Sequence, residues 1–263
     1  MSLLRKFLEL PNDSTQKTVV VATALCLGCS ILVSGAAVAL KPIQDANKAL
    51  DKKQNILQIA GLMQEGKTVE ELFGQVEAKV VDLQTGEYAA DIDPTTFDAR
   101  AAAVDPKQNV VLTKAQDIAS IKRRAKFATI YLARDAAGKV EKIILPISGY
   151  GLWSTLYGFM SLASDGNTIT GFGFYEHAET PGLGGEVDNP NWKALWAGKQ
   201  LFDEQGNIAL DIVKSSQPDS AYQVDALSGA TLTSNGVENL VHFWVGENGF
   251  GPYLQKVRSG GEL

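Results

Sequence analysis

The sequence predicts an α+β fold: a twisted, mainly antiparallel sheet with packed helices, preceded by one N-terminal transmembrane helix and a helical stalk. Three observations predict it. Lys126–Arg134, Lys139–Ile147, Thr155–Ala163 and Thr168–Tyr175 are apolar runs joined pairwise by short turn signals, as consecutive antiparallel strands require. Val237, Leu240, Val241, Trp244 and Val245 fall at the i, i+3, i+4 spacing of a buried helical face. Thr18–Leu40 carries no charge over 23 residues.

Taken in order, residues 1–17 form a flank, with a helical turn expected around Leu3–Leu10. Residues 18–40 span about 34 Å as a helix, enough to cross a bilayer. A cleaved signal peptide is the rival reading, since Ala37-Val38-Ala39 resembles a cleavage site. The apolar run is long for that, and an uncleaved anchor is favoured. Pro42 is expected to mark the exit from the span. Residues 41–75 then form the stalk. Its helix runs from Ile43 to about Met63, Gly61 and Gly66 break it, and Thr68-x-x-Glu71 opens a second short helix.

Residues 76–263 form the main domain. Glu77–Leu83 is expected as a strand, Thr95–Ala103 as a helix and Asn109–Leu112 as a short strand, although residues 76–125 suggest no role. The four strands follow, with Asp135-Ala136-Ala137-Gly138 as the first hairpin turn and Asp165-Gly166-Asn167 as the second. A helix is expected around Asn191–Ala197 behind Pro190, a strand over Ala209–Lys214, and a last helical turn at Gly251–Val257.

The net charge of −6 argues against a nucleic-acid partner, for which a basic face is the usual footprint. Lysines and arginines flank the span almost evenly, so the positive-inside rule does not orient it. Cys26 and Cys29 both lie in the span, where small soft residues suit a helix–helix contact better than a half-complete metal or redox pair. No metal site and no catalytic triad is legible.

The run Asp225-Ala226-Leu227-Ser228-Gly229-Ala230-Thr231 places a hydroxyl on a small-residue turn that opens the C-terminal helix. A helix N-terminus offers unpaired N–H groups and a positive dipole end, which favour a phosphate. Gly229 and Ala230 leave the backbone bare enough for a bulky ester. Asn235 with Glu238 three residues on is a candidate cap for that helix, as are Thr233 and Ser234. The plain alternative is a polar turn before a capped helix.

This run resembles the acceptor motif Asp-x-x-(Ser/Thr)-Gly-Ala-Thr of the covalent-flavin family. Gly149-Tyr150-Gly151-Leu152-Trp153 and Glu179-Thr180-Pro181-Gly182-Leu183-Gly184 resemble that family's other signatures, in the same order. The resemblance implies FMN joined to Thr231 by a phosphoester, installed by a flavin transferase for which Asp225 is the recognition mark. Ser228, Gly229, Ala230, Leu232 and Thr233 would surround the phosphate. Lys214, just past an expected strand end, is a candidate counter-charge by position, with a solvated lysine as the favoured reading. Gly151, Leu152 and Trp153 would edge the flavin ring, and Glu179, Thr180, Gly182, Leu183 and Gly184 would supply a stiff second loop. His177 flanks that loop outside the matched stretch, and a ligand role for it is the weaker reading.

Over nearly its whole length the chain is similar to the C subunits of sodium-translocating NADH:quinone oxidoreductases. That likeness implies a six-subunit complex of the bacterial inner membrane, in which this chain relays electrons from its periplasmic domain and is not active alone. The alternatives are the flavin-bearing G subunit of the Rnf complex and a membrane-anchored binding module without redox chemistry.

Overall fold

The computed structural model describes Pro11, residues 14–135 and residues 137–261. The helical turn expected at Leu3–Leu10, and Ala136 of the first hairpin, lie outside the described residues. The chain divides into two compact units, the first ending at Asp51 and the second starting at Lys52.

Helix α1 covers Thr15–Ile59, about 67 Å at 1.5 Å per residue. Among the described residues it is the one helix long and apolar enough to cross a membrane. Pro42, the expected exit from the span, lies inside it, and the helix continues on either side. A proline there has no N–H to give to the carbonyl four residues back. The expected stalk helix is therefore the C-terminal part of the same element. It stops at Ile59 because Gly61 takes φ +65°. The Leu62 N–H then reaches back to the Leu57 carbonyl at 2.8 Å, the left-handed glycine closure that satisfies last-turn carbonyls.

Helix α2, Val69–Phe73, starts with a complete capping box. The Glu71 N–H donates to Thr68 Oγ1 at 3.3 Å and the Thr68 N–H to Glu71 Oε2 at 2.9 Å. Strand β1, Val76–Asp82, follows. The segment least legible in the sequence holds α3, Ala99–Val104, and a small antiparallel ribbon of β2, Asn109–Val111, and β3, Arg123–Ala125. Helix α3 begins later than expected, because Asp98 caps it by accepting from the Arg100 and Ala101 N–H groups.

Strands β4 (Phe127–Arg134), β5 (Val140–Tyr150), β6 (Thr155–Ala163) and β7 (Ile169–Glu176) join β1 in one sheet of order β1-β4-β5-β6-β7. Every neighbouring pair in that sheet is antiparallel. The later elements are a 3₁₀ turn at Gly184–Asp188, helix α4 at Pro190–Ala194, and the short parallel pair β8 (Asp211–Val213) and β9 (Gln223–Asp225). Helices α5, Thr231–Val245, and α6, Gly251–Arg258, complete the chain.

Both sheet faces are covered. On one, Ile130, Leu132, Ile143, Leu145, Ile147 and Met160 pack with Val237, Leu240, Val241 and Trp244 of α5 and with Trp192 and Trp196. On the other, Tyr131, Ile144 and Phe159 pack with Ile56, Leu57 and Ala60 at the end of α1 and with Leu72 of α2. Lys142 Nζ adds a 2.7 Å bond to the Ala60 carbonyl. Strand glycines permit both approaches. Gly149 lies against Leu240 and Gly171 against the Ile59 carbonyl, places where a Cβ would overlap its neighbour.

Helix α3 is clamped to the sheet by one side chain. The Arg100 guanidinium lies 3.4 Å from the Tyr157 ring centroid, donates to Glu176 Oε2 at 2.9 Å and to the Tyr175 hydroxyl at 3.0 Å. Tyr157 and Glu176 face each other across β6 and β7. The clamp therefore fixes the end of the ladder from which the motif loops leave.

Candidate cofactor site

The first motif segment is the end of β5 and the turn into β6. The Tyr150 N–H donates to the Ala119 carbonyl at 2.9 Å, so part of the β1–β4 crossover braces this corner. Leu152 and Trp153 project into solvent, Trp153 at 66 % exposure. That much exposed indole is the opposite of core packing, and with Leu152 it leaves apolar surface open at this corner.

The second segment leaves β7 and makes a tight turn. The Leu183 N–H donates to the Thr180 carbonyl at 3.1 Å, and Gly182 sits at φ +76°. Pro181 followed by a residue at positive φ is the pattern of a type II turn, which requires the glycine. Thr180, Pro181, Gly182 and Leu183 lie at the surface, while Gly184 is buried.

The acceptor run repeats that geometry. The Ala230 N–H donates to the Leu227 carbonyl at 3.2 Å with Gly229 at φ +74°. Thr231 is the first residue of α5 and is exposed, with Ser228, Gly229 and Leu232 exposed beside it. The expected cap at Asn235 is displaced by a whole turn: Asn235 lies inside the helix, and Glu238 accepts instead from the Ile212 N–H. Ala230 occupies the cap position without a side-chain bond, and no acidic residue stands in the first turn. The N–H groups of that turn thus have neither an intrahelical partner nor a cap. Ser234 braces the loop from within, accepting from the Leu227 N–H at 2.9 Å and donating to the Ala230 carbonyl at 3.1 Å.

Glu179 joins all three segments. Its Oε1 accepts from the N–H groups of Leu152, Trp153 and Ser154 at 3.1, 3.0 and 3.2 Å, and its Oε2 accepts from Thr233 Oγ1 at 2.8 Å. Glu179 is 5 % exposed and Thr233 fully buried, so both face the protein and neither is offered to a ligand. Small residues make room. A Cβ on Gly151 would lie 2.7 Å from Glu179 Oε1, one on Gly184 2.5 Å from Thr233 Oγ1, and one on Gly236 3.0 Å from Gly151 Cα. Gly229 in turn lies beside the Leu183 side chain. Sequence reasoning placed Glu179 and Thr233 in the site but missed this hub, since nothing in the sequence pairs residues 54 apart.

Burial pushes the Glu179 carboxyl up, but the hydrogen bonds from Trp153, Thr233, Ser154 and Leu152 outweigh it and hold the group below its ordinary value. A depressed folded value contributes stability that is present above the ordinary carboxylate range and lost as pH falls through the folded value. Glu179→Gln is therefore expected to flatten the acid limb of stability against pH, measured by urea denaturation from about pH 6 downward. An unchanged acid limb would show that Glu179 contributes nothing to it.

His177 is a strut. Its Nδ1 accepts from the Glu179 N–H at 3.2 Å, which leaves the proton on Nε2, 2.8 Å from Asp188 Oδ2. Both ring nitrogens are engaged. Among the described residues no group of three His, Cys, Asp or Glu is placed to hold a metal. Asp225 is likewise engaged: its Oδ1 accepts from the Ser216 N–H at 2.5 Å and its carbonyl from Trp192 Nε1 at 2.8 Å. Lys214 is exposed, one residue past the β8 position that pairs with Asp225.

A family model described as "FMN-binding domain" matches residues 151–246, a span that takes in the acceptor run, the second segment and the end of the first. The C subunit of the Na(+)-translocating NADH-quinone reductase of Pseudomonas aeruginosa is 55 % identical over 257 residues, 95 % of this chain and 98 % of that protein. The protein of the same description from Neisseria meningitidis serogroup B is 49 % identical over 251 residues, 95 % of this chain and 97 % of the relative. Among solved structures, NqrC of Shewanella oneidensis is similar with a TM-score of 0.76 and 36 % identity, covering 81 % of this chain and 99 % of that one.

Proposed function

The chain belongs to the family of C subunits of the Na(+)-translocating NADH-quinone reductase, and from that membership we propose that it carries FMN as a phosphoester on Thr231 and relays electrons inside the reductase. It is a flavoprotein subunit of an oxidoreductase complex, with an FMN-binding domain behind one N-terminal apolar helix. The match across almost the whole of those relatives leaves the Rnf G subunit and the non-redox module without an observation in their favour.

The observation that carries the proposal is the exposed Thr231 hydroxyl at the first position of a helix with no side-chain cap. A phosphate there meets unpaired N–H groups and the positive end of the helix dipole. Gly229 and Ala230 keep side chains out of its way, and Ser228 Oγ is a further donor within the loop. Leu152, Trp153 and Leu183 are the exposed apolar side chains suited to border a flat ring. When bound, FMN supplies the electron-accepting and electron-donating chemistry, and the chain supplies attachment and environment. Residues Gly182 and Gly184 shape the second loop, while Lys214 is available for the phosphate charge. Asp225 is the residue a flavin transferase would read.

Partners are the other members of a six-subunit complex and the lipid bilayer around α1. The flavin domain lies on the periplasmic side of the inner membrane. Protease added to intact spheroplasts should then cut it, and protection in the absence of detergent would reverse that orientation.

Intact mass and peptide mapping under denaturing conditions, on protein from its own membranes, test the central claim. One FMN less one water on the peptide containing Thr231 is the expected result. An unmodified Thr231 in a strain that flavinylates other proteins would overturn it.

A further inference from the structure

Glu179 is a buried carboxylate without a counter-ion. Among the described residues no cation pairs with it, and its five hydrogen bonds come from three backbone N–H groups and one hydroxyl. Buried charges are ordinarily paired, because dipoles alone offset desolvation only when several converge. The charge here sits between two functional segments: one oxygen holds the turn that carries exposed Leu152 and Trp153, and the other holds Thr233, two residues beyond Thr231.

We propose that Glu179 is a positioning residue whose fixed negative charge also lowers the reduction potential of the flavin attached at Thr231. The inference rests on the covalent-FMN reading above. Its positioning half follows from the bond pattern, since one rigid group spans the ring-bordering turn and the acceptor helix. Its charge half follows from what an amide would do in the same place. A glutamine could accept the same three N–H groups through its carbonyl and meet the Thr233 hydroxyl with its NH₂ group. Geometry alone would therefore be served by either residue, and only glutamate adds charge. Electrons delivered to the ring bring negative charge with them until protons from water follow. A carboxylate fixed nearby in a poorly screened position opposes their arrival, which makes the bound flavin the stronger reductant.

The test uses the whole complex from its own membranes, with wild type, Glu179→Gln and Glu179→Asp compared. Peptide mapping of each comes first: wild-type Thr231 without FMN would overturn the covalent reading and this inference with it. Flavin midpoint potentials are then measured by spectroelectrochemical titration, and apoprotein stability by urea denaturation. Glu179→Gln is expected to load flavin and to raise the potential. The reduced-to-oxidised ratio at the wild-type midpoint should rise at least tenfold, about 30 mV for a two-electron couple. Glu179→Asp keeps the charge but shortens the reach, so it is expected to lose stability while its potential stays near wild type. A glutamine variant within twofold of the wild-type ratio would overturn the charge role and leave the covalent reading intact. Should the glutamine variant fail to fold, the aspartate variant decides: a shift of tenfold or more despite the retained charge would equally overturn it.

Discussion

Thr231→Val should give a folded, membrane-bound chain with no covalent flavin. The substitution replaces a hydroxyl with a methyl group of nearly the same shape, so the one thing removed is the oxygen that would form the ester. Thr231 is exposed and caps nothing, hence the helix should survive the change. Valine at a first helical position costs no more than about 0.5 kcal/mol in propensity. The expected change in loading is from one flavin per chain to none, read by denaturing mass spectrometry and by in-gel flavin fluorescence. Retention of covalent flavin would remove Thr231 as the acceptor. Asp225→Ala in the same experiment should lower loading without abolishing it. Its carboxylate accepts from the Ser216 N–H, so the variant loosens the loop as well as removing the residue proposed for recognition.

Gly171→Val is expected to have the largest effect on stability. Gly171 lies in β7 where the Ile59 carbonyl, at the end of α1, comes so close that any Cβ would overlap it. The obstacle is backbone, which cannot rotate away, so the last turn of α1 must lift from the sheet. Ile56, Leu57 and Ala60 are at most 1 % exposed, and releasing even one of the larger two corresponds to about 2–5 kcal/mol on the scale of core truncations. Urea denaturation of the full chain in detergent should show this as a lower midpoint at unchanged slope. A loss below about 0.5 kcal/mol, within the range of ordinary surface substitutions, would mean that α1 is not held there.

The sequence made the periodic elements legible and the long-range bonds illegible. Alternation placed β4 to β7 within a few residues, and the Thr68–Glu71 box placed α2, because both signals are local. Asn235 misled because a cap motif is read only from its neighbours. The Leu227–Ala230 turn starts α5 a turn earlier than those capping residues.

Residues 76–125 suggested elements but no role, yet they supply Arg100, which clamps the β6–β7 ladder, and Ala119, which braces Tyr150. Neither contact has a sequence signature, since each depends on chain segments meeting from far apart in the sequence, 76 residues in the case of Arg100 and Glu176. The exposure of Trp153 was equally undetermined, because an indole beside a strand end reads the same whether it fills a core or faces a ligand.

The sequence by itself determined the fold class, the apolar N-terminal helix, the three motif segments and the family to which they point. These rest on hydrophobic period, run length and residue identity, which are written in order along the chain. Only the tertiary structure decided that the segments converge on Glu179, that Thr231 stands exposed at an uncapped helix start, and that His177 is a strut. Those outcomes depend on which backbones can approach, and Gly149, Gly151, Gly184 and Gly236 settle that by the side chains they lack.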